Sequence, residues 1–181
     1  MNRKFITAAL LFANIVLAQK IELKTGDLIF QSMNCGELCE AINQVTEGYK
    51  GIDFNHMGMV VIENDSVFVL EASGNSVKLT PYQTFTSYTD LPMYVGRVKK
   101  RFKKLIPEAV SFGKNQLGVP YDNEYIYNNG KYYCSELIYD CFKAANKDSF
   151  FILKLYCKSS SHSQIFTKIQ FLRFKKKKNY L

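Results

Sequence analysis

The sequence predicts a small α+β domain with a mainly antiparallel sheet packed against helices. Three observations predict it. Short β-branched and aromatic runs recur between residues 26 and 98, two of them meet at an Asn-Asp turn, and helical segments with recognisable ends stand on either side of them. A length of 181 residues suits one domain with a real core and leaves little room for a second.

In chain order, 26-GDLIFQS-32 is a compact apolar strand and 33-MNCGELCEAINQVTEG-48 a short helix stopped by Gly48. The runs 57-MGMVVIE-63 and 66-SVFVLEA-72 form a hairpin around Asn64-Asp65. Further strands are 76-SVKLT-80, which stops at Pro81, and 94-YVGRV-98. Pro107 opens a helix that ends at Gly118. A loop rich in Tyr and Asn, 119-VPYDNEYIYNNGK-131, then leads into a helix that starts near Cys134.

The ends of the chain differ from its middle. Residues 1–18 carry Arg3 and Lys4 ahead of an apolar run from Phe5 to Ala18, which reads as a secretory signal cleaved after Ala18. That run has 14 residues, short of the roughly 20 a membrane span needs. The domain is expected over residues 19–153, followed by a basic tail, 154–181, that is either disordered or out of the domain's proper reading frame. The formal net charge of +8 comes from that tail: Ser149 to Leu181 holds eight Lys and Arg and no Asp or Glu, and residues 1–148 balance to zero. Nucleic-acid binding would therefore rest on 173-RFKKKK-178 alone, without the aromatic and basic surface such a role uses. The five cysteines, 35, 39, 134, 141 and 157, leave at least one thiol unpaired within the chain. None has the spacing of a four-ligand zinc site, and spacing does not say whether Cys35 and Cys39 pair.

The chemistry centres on 131-KYYCSELIYDCF-142. A helix amino terminus favours thiolate through its unpaired N–H groups and dipole, and Cys134 stands there. It also heads an apolar stripe with Leu137, Ile138, Cys141 and Ala145, so a plain core cysteine is the rival reading. Cys141 lies too far along the same helix to bond it. A base is needed, and the histidines are His56 and His162. His162, in 159-SSSHS-163, reads as a solvated loop residue, whereas His56 begins a buried-looking strand. With a two-residue turn, Glu63 faces Ser66 and His56 faces Ser73, which puts Glu71 diagonally beside His56 with Gly58 opposite. A three-residue turn would move Glu71 to the other face. Holding an imidazole would justify a carboxylate at the end of so apolar a run.

The ordered set 26-GDLIF-30, 55-NHMGMV-60, 70-LEA-72 and 133-YCSEL-137 resembles the permuted papain-like cysteine hydrolases of the YiiX/YaeF type, in the NlpC-like superfamily, over roughly residues 21 to 150. The resemblance implies a circularly permuted papain-like fold, with a small antiparallel sheet or partial barrel. It also implies Cys134 as nucleophile, His56 as general base and Glu71 as the residue orienting it. It places Tyr121 near the site as a possible hydroxyl donor or a cover for the core, and makes Tyr121 and Tyr133 the candidate substrate-binding residues. Asp27 reads as a turn residue that starts its strand. The expected activity is thioester-mediated hydrolysis of amide bonds in peptides such as cell-wall stem peptides, by an exported periplasmic or extracellular enzyme. No metal or organic cofactor is needed and no nucleic acid is involved. The alternatives are a lipid-directed acyltransferase or esterase, and a binding module of the same fold without activity.

Overall fold

The computed structural model describes residues 21–46, 49 and 51–147, and the backbone of the strand segments 154–155, 167–168 and 172–176. The expected secretory signal, His162 and Cys157 lie outside the described residues. The elements are β1 (Leu28–Gln31), α1 (Glu37–Val45), β2 (His56–Glu63), β3 (Ser66–Ser73), β4 (Ser76–Pro81), α2 (Tyr82–Thr86), β5 (Tyr94–Val98), a 3₁₀ helix (Lys100–Leu105), α3 (Ile106–Asn115), α4 (Cys134–Ala145), β6 (Lys154–Leu155), β7 (Thr167–Lys168) and β8 (Leu172–Lys176). One sheet runs β4-β3-β2-β1-β5-β8, antiparallel throughout, and β6 and β7 pair separately. The fold is the α+β arrangement the sequence predicts. Within the basic tail, β8 is the edge strand beside β5, and the residues outside the three short strands are not described.

The β2–β3 hairpin sets the register on which the site depends. Asn64 and Asp65 both have positive φ, 47° and 61°, as a two-residue type I′ turn requires and as Asn and Asp tolerate better than most residues. Glu63 pairs with Ser66 and Met59 with Leu70, so the two-residue reading holds.

Alternation along the strands then sorts two apolar faces. Leu28, Phe30, Met57, Met59, Leu70 and Ala72 cluster with Leu137, Ile138, Cys141 and Phe142 of α4 and Ala109 of α3. Leu137, Ile138 and Phe142 are at most 1% exposed, and burying a side chain of that size contributes about 1.5–3 kcal/mol. On the opposite face Ile29, Val60 and Val69 cluster with Met93 and with Phe85 of α2. By parity His56 and Glu71 belong to this second face. Because His56 is the first residue of β2, it lies at the sheet's end, where the amino terminus of α4 can reach it.

Two further links fix this frame. Asp27, which is 2% exposed, accepts the Lys24 backbone N–H as a turn residue should. It also receives Arg97 from β5 in a two-pronged pair at 2.7 and 2.6 Å. Cys35 and Cys39 form a disulfide with alpha carbons 5.2 Å apart. Cys35 precedes α1, and Gly36 at φ 68° turns it off the helical path, which allows a bridge across this spacing.

Candidate active site

Glu71 is fully enclosed, with 0% exposure. One carboxylate oxygen lies 2.5 Å from His56 Nε2. The other accepts the Thr80 hydroxyl at 2.5 Å and the Tyr88 hydroxyl at 3.2 Å. Burial by itself would raise its pKa, but the hydrogen bond and charge of His56, the Thr80 hydroxyl and the cross-strand Lys78 together hold it below the usual carboxylate range. Gly58 makes this approach feasible: a β-carbon there would collide with the Val69 side chain, and would stand 3.0 Å from the Leu70 carbonyl oxygen and 3.4 Å from Glu71 Cβ.

His56 is 7% exposed, with its ring 5.6 Å from Phe85 and 6.4 Å from Tyr88. Its backbone is held from the preceding residue. The Asn55 side chain accepts the Met33 N–H and donates to the Met33 carbonyl, while the Asn55 N–H donates to Gln31. Burial disfavours the imidazolium. Hydrogen bonds with Cys134 and Glu71, and the charges of both, outweigh that and raise the pKa to about 9. With Nε2 committed to Glu71, Nδ1 is the nitrogen left to face the thiol.

Cys134 is the first residue of α4, 9% exposed, and hydrogen-bonded to His56. The first helical bond runs from the Leu137 N–H to the Tyr133 carbonyl, so the N–H groups of Cys134, Ser135 and Glu136 have no intrahelical acceptor. Glu136, at the third helical position, reaches back to the backbone N–H groups of Tyr133 and Asn128, one half of a capping box. Its burial pushes its pKa up to about 7, against those two hydrogen bonds. The thiol thus stands beside a helix start whose neighbouring N–H groups are available to an anion.

The hairpin register brings Glu71 beside His56, and the start of α4 brings Cys134 to His56. The Tyr121 and Tyr125 hydroxyls are 3.2 Å apart. Burial, followed by the charge of Cys134, raises the pKa of Tyr121. Tyr133, 4% exposed, precedes the thiol and packs its ring 5.3 Å from that of Tyr125. The three tyrosines form one aromatic group beside Cys134.

Sequence reasoning missed Thr80, Tyr88, Asn55 and Glu136. Thr80 could have been found, since on β4 it shares a face with Lys78, which pairs directly with Glu71. Tyr88 follows α2, five residues long, too short for a periodic signal. Gln31 was missed as well: it pairs with His56 across β1 and β2, is fully buried, and has no hydrogen-bond partner on either amide atom. Among the described residues, no group of three or more His, Cys, Asp or Glu stands where it could hold a metal ion.

Comparison with known proteins identifies the family and the fold. Residues 22–173 match the family model of the permuted papain-like amidase enzymes, YaeF/YiiX, C92 family, a match that runs past the cysteine helix into β8. The chain is 32% identical over 128 residues to the protein YiiX of Escherichia coli strain K12, covering 67% of this chain and 58% of YiiX. It therefore spans little more than half of that relative's length. Among solved structures it is similar to YiiX of Escherichia coli O157:H7, titled a metalloprotein, with a TM-score of 0.67 and 22% identity over 86% of this chain and 97% of that one. At that identity the likeness speaks for the fold alone.

Proposed function

The chain belongs to the permuted papain-like amidases of the YaeF/YiiX type, the C92 family, and from that premise we propose that it cleaves amide bonds with Cys134 as nucleophile, His56 as general base and Glu71 as the group that holds His56. The observation that carries this reading is the buried chain of contacts from Glu71 through His56 to a thiol at a helix amino terminus.

His56 accepts the Cys134 proton, and the imidazolium that forms is stabilised by the Glu71 carboxylate. The thiolate attacks the carbonyl carbon of the amide, and the resulting oxyanion is met by the N–H groups of Cys134 and Ser135. Collapse transfers the His56 proton to the leaving nitrogen and releases an amine, leaving a thioester on Cys134. Water then attacks the thioester while His56 takes its proton. A carboxylic acid leaves and the thiol is restored.

Peptide amides, including those of cell-wall stem peptides reached by export, are the proposed substrates. The Tyr121, Tyr125 and Tyr133 group, with hydroxyls and ring faces beside the thiol, supports a substrate with both polar backbone and apolar side chains. The test is incubation with cell-wall peptides and, in parallel, with acyl esters, each beside Cys134→Ala. Release of new amino groups from the peptides, lost in the variant, is the expected result. Turnover of esters alone would replace the reading with an acyl-ester one, and no turnover of either by a folded protein would point to a silent module.

A further inference from the structure

Among the described residues, the non-glycine residues with positive φ are Asn64, Asp65, Tyr125, Asn128 and Lys147. Asn and Asp tolerate this region through their short polar side chains. Lys147 stands just past the end of α4, where a left-handed residue commonly closes a helix. Tyr125, at φ 55°, has neither reason. A bulky aromatic residue there is an outlier, and such a backbone persists only where its surroundings over-determine it. The Asp122 carboxylate does so. It is fully buried, and its two oxygens accept the N–H groups of Glu124 at 3.0 Å and Ile126 at 2.7 Å, the residues on either side of Tyr125. The Asp122 N–H donates to the Tyr132 carbonyl at 3.0 Å and the Tyr132 N–H to the Pro120 carbonyl at 3.1 Å. The clamp is thereby anchored to the segment that leads into Cys134.

What the clamp fixes is the place of the Tyr125 side chain. Its ring stands 5.3 Å from that of Tyr133, the residue before the thiol, and meets the Tyr121 ring edge-on. Its hydroxyl lies 3.2 Å from the Tyr121 hydroxyl. Each phenol brings one proton. The hydrogen bond between them uses one of the two, and neither hydroxyl has another hydrogen-bond partner among the described residues. One O–H is therefore left over, whichever tyrosine donates to the other. Both side chains are only partly buried, so an incoming group can reach them. Burial raises the pKa of both tyrosines, and the charge of Cys134 raises each of them again. Both hydroxyls thus stay protonated while the thiol is charged.

Taking Cys134 as the nucleophile of the proposed amidase, we propose that the Tyr121–Tyr125 hydroxyl pair is an oxyanion donor, in which Tyr125 supplies or holds the O–H that meets the carbonyl oxygen under attack. The pair donates a hydrogen bond and keeps its proton. It joins the N–H groups of Cys134 and Ser135 as a third donor to the same oxygen. A hydrogen bond that strengthens as charge develops on that oxygen speeds the step rather than tightening substrate binding. A packing role for the ring would need no hydroxyl at position 125, and Phe would fill it equally well. The clamped backbone and the uncommitted O–H are both accounted for by a hydroxyl that has to be placed.

The test compares Tyr125→Phe, Tyr121→Phe and the double variant in the full chain, all of which keep the rings. Peptide amide hydrolysis is measured beside iodoacetamide alkylation of Cys134, a displacement that forms no oxyanion. It is also measured beside inhibition by an N-acetylated dipeptide aldehyde, which the thiol converts to a hemithioacetal. Removing one preorganised donor costs about 10²-fold in kcat, so Tyr125→Phe should lower kcat by about that factor, with KM within about threefold and alkylation within about twofold. Aldehyde affinity should fall by about tenfold or more. The double variant should be no slower than the slower single one, because either substitution breaks the pair. A kcat within about twofold of the parent, equal losses in hydrolysis and alkylation, or additive losses in the double variant would overturn the proposal. Hydrolysis that needs Cys134 but not the Tyr125 hydroxyl would sink this inference and leave the amidase reading standing. Aldehyde binding that needs the hydroxyl, without hydrolysis of any amide, would sustain the hydroxyl pair and remove the amidase reading. Absence of both would overturn the two together.

Discussion

Cys134 and Cys141 lie on the same helix and the same apolar stripe, both are free thiols, and both are buried. They differ in what meets the sulfur. At Cys134 the helix is beginning, N–H groups are unclaimed, and an imidazole with a raised pKa is hydrogen-bonded to the thiol. At Cys141 the helix is in mid-course, exposure is 0%, and the sulfur is packed where Gly113 leaves no room for a side chain, a β-carbon there falling 2.8 Å from Sγ. Burial pushes the Cys141 thiol up, out of reach of ionisation. Burial alone therefore does not sort a catalytic cysteine from a core one. The position on the helix and the partner do.

The largest test of this contrast is deletion of the nucleophile. Cys134→Ala should lower amide hydrolysis by about 10⁴-fold or more with the fold retained in circular dichroism. Residual turnover within tenfold of the parent would assign the chemistry elsewhere. Glu71→Gln should lower kcat by about 10⁴-fold, by analogy with loss of the orienting carboxylate in other triads. It should also move the loss of the His56 imidazolium, followed by NMR, to lower pH as His56 loses its counter-charge. An unchanged His56 titration would show that Glu71 does not hold its charge.

Titration gives the next effect. The His56 pKa is raised from 6.5 to about 9 in the folded protein, so its stabilising contribution is fully present below pH 6.5 and is lost as pH rises through about 9. Unfolding free energy from urea titrations should fall by about 3 kcal/mol across that window, and a flat profile would contradict the buried pair. Glu71 works the other way: its pKa is lowered, so its contribution is present above the ordinary carboxylate value and fades as pH falls through the depressed one.

Smaller effects probe the core half of the comparison. Gly113→Ala would drive a methyl into Leu70 and the Cys141 sulfur and should cost about 1–3 kcal/mol of stability, with Cys134 alkylation unaffected. Cys141→Ala should cost about 1 kcal/mol and leave hydrolysis within about twofold. A large loss of activity in either would mean that the two ends of the helix are coupled.

The parts of the site legible in the sequence were those decided by local rules. Asn64-Asp65 specifies a two-residue turn, the turn specifies the register, and the register puts Glu71 beside His56 across Gly58. Pro107 and the run after Cys134 mark α3 and α4 in the same way. What stayed hidden depends on contacts made across the fold. Thr80 and Tyr88 complete the Glu71 environment only after β4 and α2 are laid beside β3. Asp27 gains Arg97 only because β1 pairs with β5. The pairing of Cys35 with Cys39 depends on one backbone angle at Gly36.

The hairpin that joins His56 to Glu71 also has a consequence for the order in which the enzyme comes into being. These residues are fifteen apart, and closing so short a loop takes little chain entropy. Cys134 arrives on a helix encoded much later and must dock on the strands β1–β5 that precede it in the chain. During synthesis the amino-terminal portion emerges and organises first. A nascent chain therefore holds an assembled base with no thiol beside it, and hydrolytic competence appears in one late step, when α4 seats against β2 and β3.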